Sequence, residues 1–407
     1  MDKVQRNVVI ACFLGWALDA FDFFILVFVL GEVGKEFGTN DTGVSIAITL
    51  TLAARPIGAF LFGRAADKYG RRPTLMINIV IYSVLEFASG FAPDLTIFIL
   101  LRFLYGIAMG GEWGVGASLT METIPAKWRG TVSGLLQAGY PTGYLLATLV
   151  YRFAFPSVGW RGMFMLGALP ALLVLFIRRN VPESPSFVAG TTRIGDQAVS
   201  IIAVFKKRWP IFLYAIIMMT AFNFFSHGTQ DLYPRFLETD HEFDRATRTN
   251  IAIFYNIGAI LGGITLGTIS QRIGRRKAIA IAALLALPAV PVWAGFVSAD
   301  PYILALGAFV LQFMVQGAWG VIPAHLNELS PSEIRGTFPG FTYQLGNLIA
   351  SSNATLQAGL AASFFGGHYA YPLAIVVGIV AVVIALFVGF GKEAYNVDMT
   401  ARTSLAD

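Results

Sequence analysis

The sequence Gly63-Arg-Ala-Ala-Asp67-Lys-Tyr-Gly70-Arg71-Arg72 returns later in the chain as Gly267-Thr-Ile-Ser-Gln271-Arg-Ile-Gly274-Arg275-Arg276. A second stretch is repeated in the same way, first as Glu122-Thr-Ile-Pro125-Ala-Lys-Trp-Arg129-Gly130-Thr131 and then as Glu328-Leu-Ser-Pro331-Ser-Glu-Ile-Arg335-Gly336-Thr337. In both repeats the second copy follows the first by about 205 residues, which is half of the 407-residue chain. Self-similarity at this distance indicates two structurally related halves with a site between them.

The composition around these loops is that of an integral membrane protein. The chain is 56% hydrophobic and 13% charged, with a mean hydropathy of +0.66, whereas a globular domain carries about 25% charged residues. Twelve apolar runs are each close to the ~20 residues that span a bilayer, at 8–30, 43–64, 73–92, 95–120, 130–153, 162–180, 209–236, 248–270, 277–298, 302–325, 336–362 and 370–391. We predict an all-α membrane protein with twelve transmembrane helices in two pseudo-symmetric six-helix bundles, residues 1–180 and 209–407, joined by a linker at 181–208.

Basic residues are unequally divided between the two sets of loops that twelve spans create. The set that includes both termini holds 21 Lys and Arg residues, and the other set holds 6. The positive-inside rule therefore predicts that both termini lie in the cytoplasm. The net charge of +5 is thus a matter of orientation, and we expect a lipid bilayer but no nucleic acid as a partner. The first apolar run is long enough to remain as a membrane helix rather than be cleaved as a signal peptide. We expect the protein to lie in the cell (plasma or inner) membrane.

The seventh run carries a polar face. Five polar residues follow a helical spacing of i, i+3, i+4, i+7 and i+8, with phenylalanines on the other faces: Asn223, Ser226, His227, Gln230 and Asp231. An ionisable residue inside a membrane costs about 2.5–3.5 kcal/mol on insertion scales and usually faces a pathway, a partner or a water-filled cavity. The alternative is that these side chains only hold helices together.

Other runs also contain polar side chains that a lipid-facing helix would not carry. They are Asp19 and Asp22 in the first run, Arg55 in the second, Arg102 and Glu112 in the fourth, and Gln344, Asn347, Ser351 and Thr355 in the eleventh. A buried guanidinium is well suited to bind a carboxylate through two parallel hydrogen bonds, so Arg55 is the predicted partner of a substrate's negative charge. Two alternatives remain: Arg55 could pair with Asp19 or Asp22, and Arg102 with Glu112, as purely structural ion pairs.

The repeated loops resemble the signatures of the major facilitator superfamily, as does Arg102-x-x-x-Gly106-x-x-x-Gly110 in the fourth run. The resemblance covers both halves and implies the major facilitator fold, alternating access and a monomer. In that superfamily such loops clasp the two halves on the cytoplasmic side, which implies a conformational latch of Asp67, Arg71, Glu122 and Arg129. Gln271 replaces Asp67 in the second copy, so we expect the latch to be stronger on the first half. Charge that only sets the topology is the alternative for each of these residues.

Two clusters resemble a narrower group, the sialate/lactate:proton symporters that include the fungal lactate permeases. These are Asn223-x-x-Ser226-His227-x-Thr229-Gln230-Asp231 and Tyr343-Gln344-Leu345-Gly346-Asn347. Arg55 stands where that group has an arginine needed for carboxylate uptake, and Leu18-Asp19-x-x-Asp22 resembles a motif shared with aromatic-acid symporters. Arg235 departs from the pattern, which has Thr there. The resemblance implies proton-coupled symport of a small monocarboxylate such as lactate or pyruvate, with a larger anion (sialate, aromatic acid or dicarboxylate) as the alternative.

Each predicted site residue then has a role. The substrate is expected to contact Arg55, Gln344, Asn347 and His227, and its hydroxyl or oxo end to meet Asn223, Ser226, Thr229 and Gln230. The proton is expected on Asp231, with His227 four residues earlier on the same face as a relay, and Asp19, Asp22 and Glu112 as further candidates. No phosphate loop, zinc-protease or nucleophile-elbow motif occurs, so we expect no enzyme activity, cofactor or metal.

Overall fold

Every regular element in the part of the chain that is described is helical. The computed structural model describes residues 1–39, 41–191 and 201–400. The centre of the predicted linker (192–200, with Arg193) and Arg402 lie outside the described residues. The α-helices are α1 (Lys3–Glu36), α2 (Asp41–Tyr69), α3 (Arg71–Ser89), α4 (Leu95–Thr123), α5 (Arg129–Gln137), α6 (Gly139–Leu166), α7 (Ala171–Asn180), α8 (Pro185–Thr191), α9 (Ile201–Gln230), α10 (Tyr233–Thr239), α11 (Arg245–Ile273), α12 (Arg275–Ala286), α13 (Val290–Trp293), α14 (Pro301–Trp319), α15 (Ile322–Leu329), α16 (Phe338–Ala350), α17 (Asn353–Phe364) and α18 (Ala370–Gly389).

Several predicted spans are built from two helices. Within the described ranges, eight helices are long and apolar enough to cross a membrane, and a ninth span results if the pair Ala126–Leu166 and Ala171–Asn180, bent by 43°, is counted as one. The eleventh predicted span (336–362) is divided into α16 and α17 by a turn at Ser351 and Ser352. α6 extends beyond residue 153, the predicted end of the fifth span. It contains Gly159 with a φ of 63°, a conformation that glycine adopts without steric cost.

The hydrophobic core is divided in the same way as the sequence repeat. One cluster is formed almost wholly by residues between Val204 and Val388. Two others are formed mainly by residues of the first half, from Val8 to Val181. Trp16 and Trp113 of the first half join the cluster of the second, and Met399 joins a cluster of the first. The cores therefore interlock at these points.

The two halves are joined by hydrogen bonds at one surface, which carries the loops around Gly70, Pro125, Gly274 and Pro331 and is called the loop face below. The Asp67 carboxylate accepts hydrogen bonds from the backbone of Gly336 (2.7 Å) and Thr337 (3.1 Å) and from the Thr337 hydroxyl (2.6 Å). In the second copy, the Gln271 side chain accepts one bond from the Gly130 backbone (2.9 Å). The repeat thus produces a pseudo-symmetric pair of contacts, three bonds on one side and one on the other.

Ion pairs buttress these contacts within each half. In the first half, Arg71 lies 3.0 Å from Glu122 and 3.3 Å from Asp67. In the second, Arg275 binds Glu328 through two hydrogen bonds of 2.8 and 3.1 Å. Arg129 approaches Glu328 across the junction at 3.8 Å. All four predicted latch residues therefore lie together at the loop face, which is closed in this structure.

Candidate substrate and proton site

The polar face of α9 is held from behind by the neighbouring helix α14. Gln312 donates a hydrogen bond to the Thr229 hydroxyl (2.8 Å), and Gln316 donates one to the Ser226 hydroxyl (3.1 Å). Gln230 donates to Ser226 (3.3 Å) and to Gln312 (3.2 Å). This network ties Ser226, Thr229 and Gln230 to α14, as the packing alternative anticipates. Asn223 is likewise bonded to the Met219 carbonyl of its own helix (2.7 Å).

His227 connects the polar residues of α9 with those of α16. Its Nδ1 atom lies 3.1 Å from Asp231 Oδ1, and its Nε2 atom lies 3.0 Å from Asn347 Oδ1. Asn347 in turn donates to Gln344 Oε1 (3.4 Å). Both ring nitrogens face oxygen acceptors, so both contacts are hydrogen bonds only when each nitrogen carries a proton. The His227 and Asp231 side chains are 32% and 39% exposed, so water or a solute reaches this pair.

Arg55 is buried in the first half without a carboxylate partner. Its residue is 4% exposed, its guanidinium lies 5.0 Å from the centre of the Phe23 ring, and Nη2 contacts the Met109 sulfur at 2.8 Å. Within the described residues it forms no direct ion pair, so in this structure Arg55 makes no salt bridge to Asp19 or Asp22. A sulfur is a weak acceptor, and the guanidinium therefore retains donors for another anion.

Four carboxyl side chains lie together inside the first half. Asp19, Asp22 and Glu86 are fully buried, and Glu112 is 1% exposed. Glu86 pairs with Arg102 at 2.7 Å, so the alternative that joined Arg102 to Glu112 is wrong. The carboxyl oxygens of Asp19, Asp22 and Glu112 have no hydrogen-bond partner among the described residues. Burial of a charged carboxylate without a partner is costly, which makes these groups candidates for holding a proton.

Aromatic rings separate this region from the loop face. Trp113 and Trp319 occupy equivalent positions in the two repeats, and both contact Tyr343, with ring centres 4.7 and 5.5 Å away. Trp16 extends the layer toward Tyr140 at 5.5 Å. The first two tryptophans and Tyr343 are 8% exposed or less. These rings form a floor between the halves.

Ring contacts connect Arg55 with this aromatic floor. Phe23, whose ring lies against the Arg55 guanidinium, has its ring centre 5.4 Å from that of Phe24, and Phe24 lies 5.4 Å from Tyr140. In the second half, Tyr343 shares helix α16 with Asn347, which contacts His227. Arg55 and the His227–Asp231 pair therefore approach the aromatic floor from the two halves, and the space between them is called the crevice below.

Sequence reasoning missed several of these residues. Glu86 is a lone acid in the third apolar run, and Gln312 and Gln316 are spaced i, i+4 in the tenth. A single polar residue in an apolar run already indicates a side chain that faces a partner, a pathway or a water-filled cavity. Tyr140 carried no such signal, and Tyr343 was part of a quoted motif but had no predicted role, since aromatic residues are ordinary core residues.

Comparison with known proteins places the chain among transporters. A family model described as Major Facilitator Superfamily matches residues 12–351. The sialic acid transporter NanX of Escherichia coli (strain K12) is 28% identical over 392 residues, which are 95% of this chain and 94% of the relative. The carboxylic acid transporter protein homolog of Saccharomyces cerevisiae is 27% identical, covering 96% of this chain and 68% of the relative. A cis,cis-muconate transport protein of Acinetobacter baylyi is 28% identical, covering 83% of each.

The fold is matched by solved structures. The proton:xylose symporter XylE, bound to 6-bromo-6-deoxy-D-glucose, has a TM-score of 0.75 and covers 97% of both chains at 20% identity. At that identity the likeness concerns the fold alone.

Proposed function

Because this chain belongs to the Major Facilitator Superfamily, and is therefore a membrane transporter and not an enzyme, we propose that it carries a small monocarboxylate, of the lactate or pyruvate type, together with a proton. The predicted all-α fold of twelve membrane helices is confirmed by this membership and by the likeness to XylE. The resemblance to the sialate and carboxylate transporters is confirmed by the relatives. The transported solute and its coupling to protons are the proposal.

The observation that supports a carboxylate substrate is the state of Arg55. It is a buried guanidinium with no ion pair among the described residues, and it is connected through Phe23 and Phe24 to the aromatic floor that both halves form. A carboxylate that binds there gains two charge-assisted hydrogen bonds. On the opposite side Gln344 and Asn347 offer amide groups to the substrate, and Ser226, Thr229, Gln230 and Asn223 shape the wall behind them.

The second part of the proposal concerns charge. Moving one anion inward against a negative-inside potential costs about 2.3 kcal/mol per 100 mV, and a co-transported proton cancels that charge. Asp231 is our leading proton carrier because it contacts His227 at a position that water reaches. The buried carboxyls of Asp19, Asp22 and Glu112 are the alternative carriers.

We further propose how the protein is oriented in the membrane and which of its parts move during transport. Residues 1–180 and 209–407 rock about the crevice as two bundles joined by the linker 181–208, and the latch of Asp67, Arg71, Glu122 and Arg129 closes the loop face. The excess of basic residues in its loops supports a cytoplasmic position for that face and for both termini, in a protein of the plasma or inner membrane. We expect the protein to work as a monomer.

A larger organic anion is the second candidate. The relatives are named for sialic acid, cis,cis-muconate and niacin as well as for carboxylic acids. All of these are acids, so Arg55 would serve each of them equally. The candidates differ in the size of the solute that the crevice must accept.

Uptake of labelled lactate into proteoliposomes tests the proposal. Accumulation is expected under an inward proton gradient and is expected to collapse with a protonophore. Unlabelled acids of graded size, from pyruvate through muconate to sialate, are then added as competitors. Failure of lactate to accumulate, together with thermal stabilisation of the protein by a larger acid, would assign the second candidate function instead.

A further inference from the structure

The two repeated loop arginines bind one and the same segment of the chain. Arg129 and Arg335 occupy equivalent positions in the repeat Glu-x-x-Pro-x-x-x-Arg-Gly. The Nη1 atom of Arg129 donates to the carbonyl oxygen of Val397 (2.5 Å), and that of Arg335 donates to the carbonyl oxygen of Met399 (2.8 Å). The segment Gly391–Thr400, which follows α18, is called the strap below. It therefore lies across the pseudo-twofold axis of the loop face.

The first part of the strap is attached to the second half. Glu393 accepts a hydrogen bond from the Arg276 backbone (3.2 Å). Tyr395 donates its hydroxyl proton to the carbonyl of Gln271, and its ring lies 5.2 Å from the Arg275 guanidinium. These contacts continue the ion-paired end of α11 and α12, so this part of the strap moves with the second half.

The strap then turns and enters the first half. Asn396 has a φ of 62°, in the left-handed region that asparagine tolerates better than most residues. Three residues later Met399 is 3% exposed and belongs to the hydrophobic cluster that contains Met121, Ile124 and Val132 of the first half. The strap is thus bound to the second half by polar contacts, and to the first by the Arg129–Val397 hydrogen bond and a buried apolar side chain.

The strap also provides hydrogen-bond acceptors for the buried guanidinium groups of Arg129 and Arg335. Arg129 and Arg335 are 5% and 4% exposed, and a buried guanidinium without acceptors is unfavourable. Arg129 has a further acceptor in Met121 (3.1 Å) and a distant one in Glu328. Backbone carbonyls at two alternate strap residues supply acceptors for one arginine from each half.

We propose that the strap is an intramolecular ligand of this arginine pair and that it holds the loop face closed. In a transporter of this superfamily the halves separate on one face while they meet on the other. Opening the loop face separates Arg129 from Arg335, and it separates the cluster that holds Met399 from the helix ends that hold Glu393 and Tyr395, so the strap must leave one half in each cycle. Its contacts therefore stabilise the state that is closed at the loop face, whatever solute is carried.

Cysteine accessibility tests the strap without any substrate, so the result does not depend on the proposed function. Cys12, the single cysteine of the chain, is first replaced by alanine. Ser133→Cys then places a thiol at a fully buried position whose hydroxyl accepts a hydrogen bond from Ala324 across the junction. The rate of alkylation of this thiol reports opening of the loop face.

Three strap variants are compared in that background. Met399→Asp removes the apolar anchor, and a chain that ends after Gly391 removes the strap. Met399→Leu is the matched control, because it keeps an apolar side chain of similar volume. We expect the first two to be alkylated faster by about 5-fold to 150-fold, the usual range of coupling between two sites, and the control to react at the unaltered rate.

A folding defect is separated from opening by a second measurement. Each variant is also examined by size-exclusion chromatography and thermal unfolding in detergent, and Met399→Ala replaces any variant that aggregates. If the variants with disrupted straps fold but are alkylated no faster than the Met399→Leu control, the strap does not hold the face closed and the proposal is overturned.

Discussion

The carboxylate of Glu86 on α3 lies 2.7 Å from the guanidinium of Arg102 on α4, and the side chains of both residues are 1% exposed or less. The pair is enclosed by aromatic rings, with Tyr105 4.3 Å and Phe164 5.0 Å from the guanidinium. Asp22 lies nearby, and its oxygens have no hydrogen-bond partner among the described residues. Arg102 therefore supplies the counter-charge of Glu86, whereas Asp22 forms no ion pair among the described residues.

The first prediction is that Glu86→Gln strongly destabilises the protein. Removing one partner of a buried ion pair leaves the other charge uncompensated, at a cost of about 3–5 kcal/mol. We expect a clearly lower thermal unfolding midpoint in detergent. Replacing both partners, as Glu86→Gln with Arg102→Met, should restore part of the loss. A midpoint unchanged in the single variant would show that the pair contributes no stability.

This pair also illustrates what could be predicted from the sequence. The repeats and apolar runs predict the helices and their duplication, because span length and loop charge are local properties. The pairing of Arg102 is not local. Arg102 and Glu112 are about 80° apart around one helix, so they face different neighbours: Arg102 faces α3, and Glu112 packs against Gly15 of α1. Which neighbour supplies the counter-charge depends on how the helices pack.

The α9 face shows the same limit. Its helical spacing correctly groups His227 with Asp231, which are in contact. It does not distinguish these two from Ser226, Thr229 and Gln230, which are bonded to glutamines of α14. The distinction depends on Gln312 and Gln316 of the neighbouring helix α14, because the spacing of residues along α9 does not indicate which of them another helix will bind.

Arg55→Ala is predicted to abolish uptake while the protein remains in the membrane. Loss of one partner of a buried charge pair costs about 2–5 kcal/mol, which corresponds to at least about 30-fold lower apparent affinity. The measurement is initial uptake rate against substrate concentration in proteoliposomes. Arg152→Ala, at an exposed position of α6, is the matched control and should transport normally. Uptake by Arg55→Ala at the unaltered rate would remove Arg55 from the site.

Asp231→Asn is predicted to uncouple transport from protons. The amide keeps the shape of the side chain and can still contact His227, but it cannot take up a proton in this range of pH. Exchange of labelled for unlabelled substrate should therefore persist, while accumulation driven by a pH gradient is lost. Matched Asp19→Asn and Asp22→Asn variants are assayed in parallel. If accumulation survives in Asp231→Asn and is lost in one of these, the proton belongs to the first half.

Gly114→Ala is predicted to prevent closure of the loop face. An added β-carbon at Gly114 would lie 2.6 Å from the Cα atom of Gly340 in the other half, and backbone cannot yield as a flexible side chain does. The two helices must therefore separate by a few tenths of an ångström or more, which weakens the bonds from Asp67 to Gly336 and Thr337. We expect faster alkylation of the Ser133→Cys thiol and slower uptake. Gly116→Ala is a suitable control on the same helix, since its β-carbon would meet neighbours only at 3.7 Å or beyond. Equal alkylation rates in the two variants would show that close approach at Gly114 is not needed for closure.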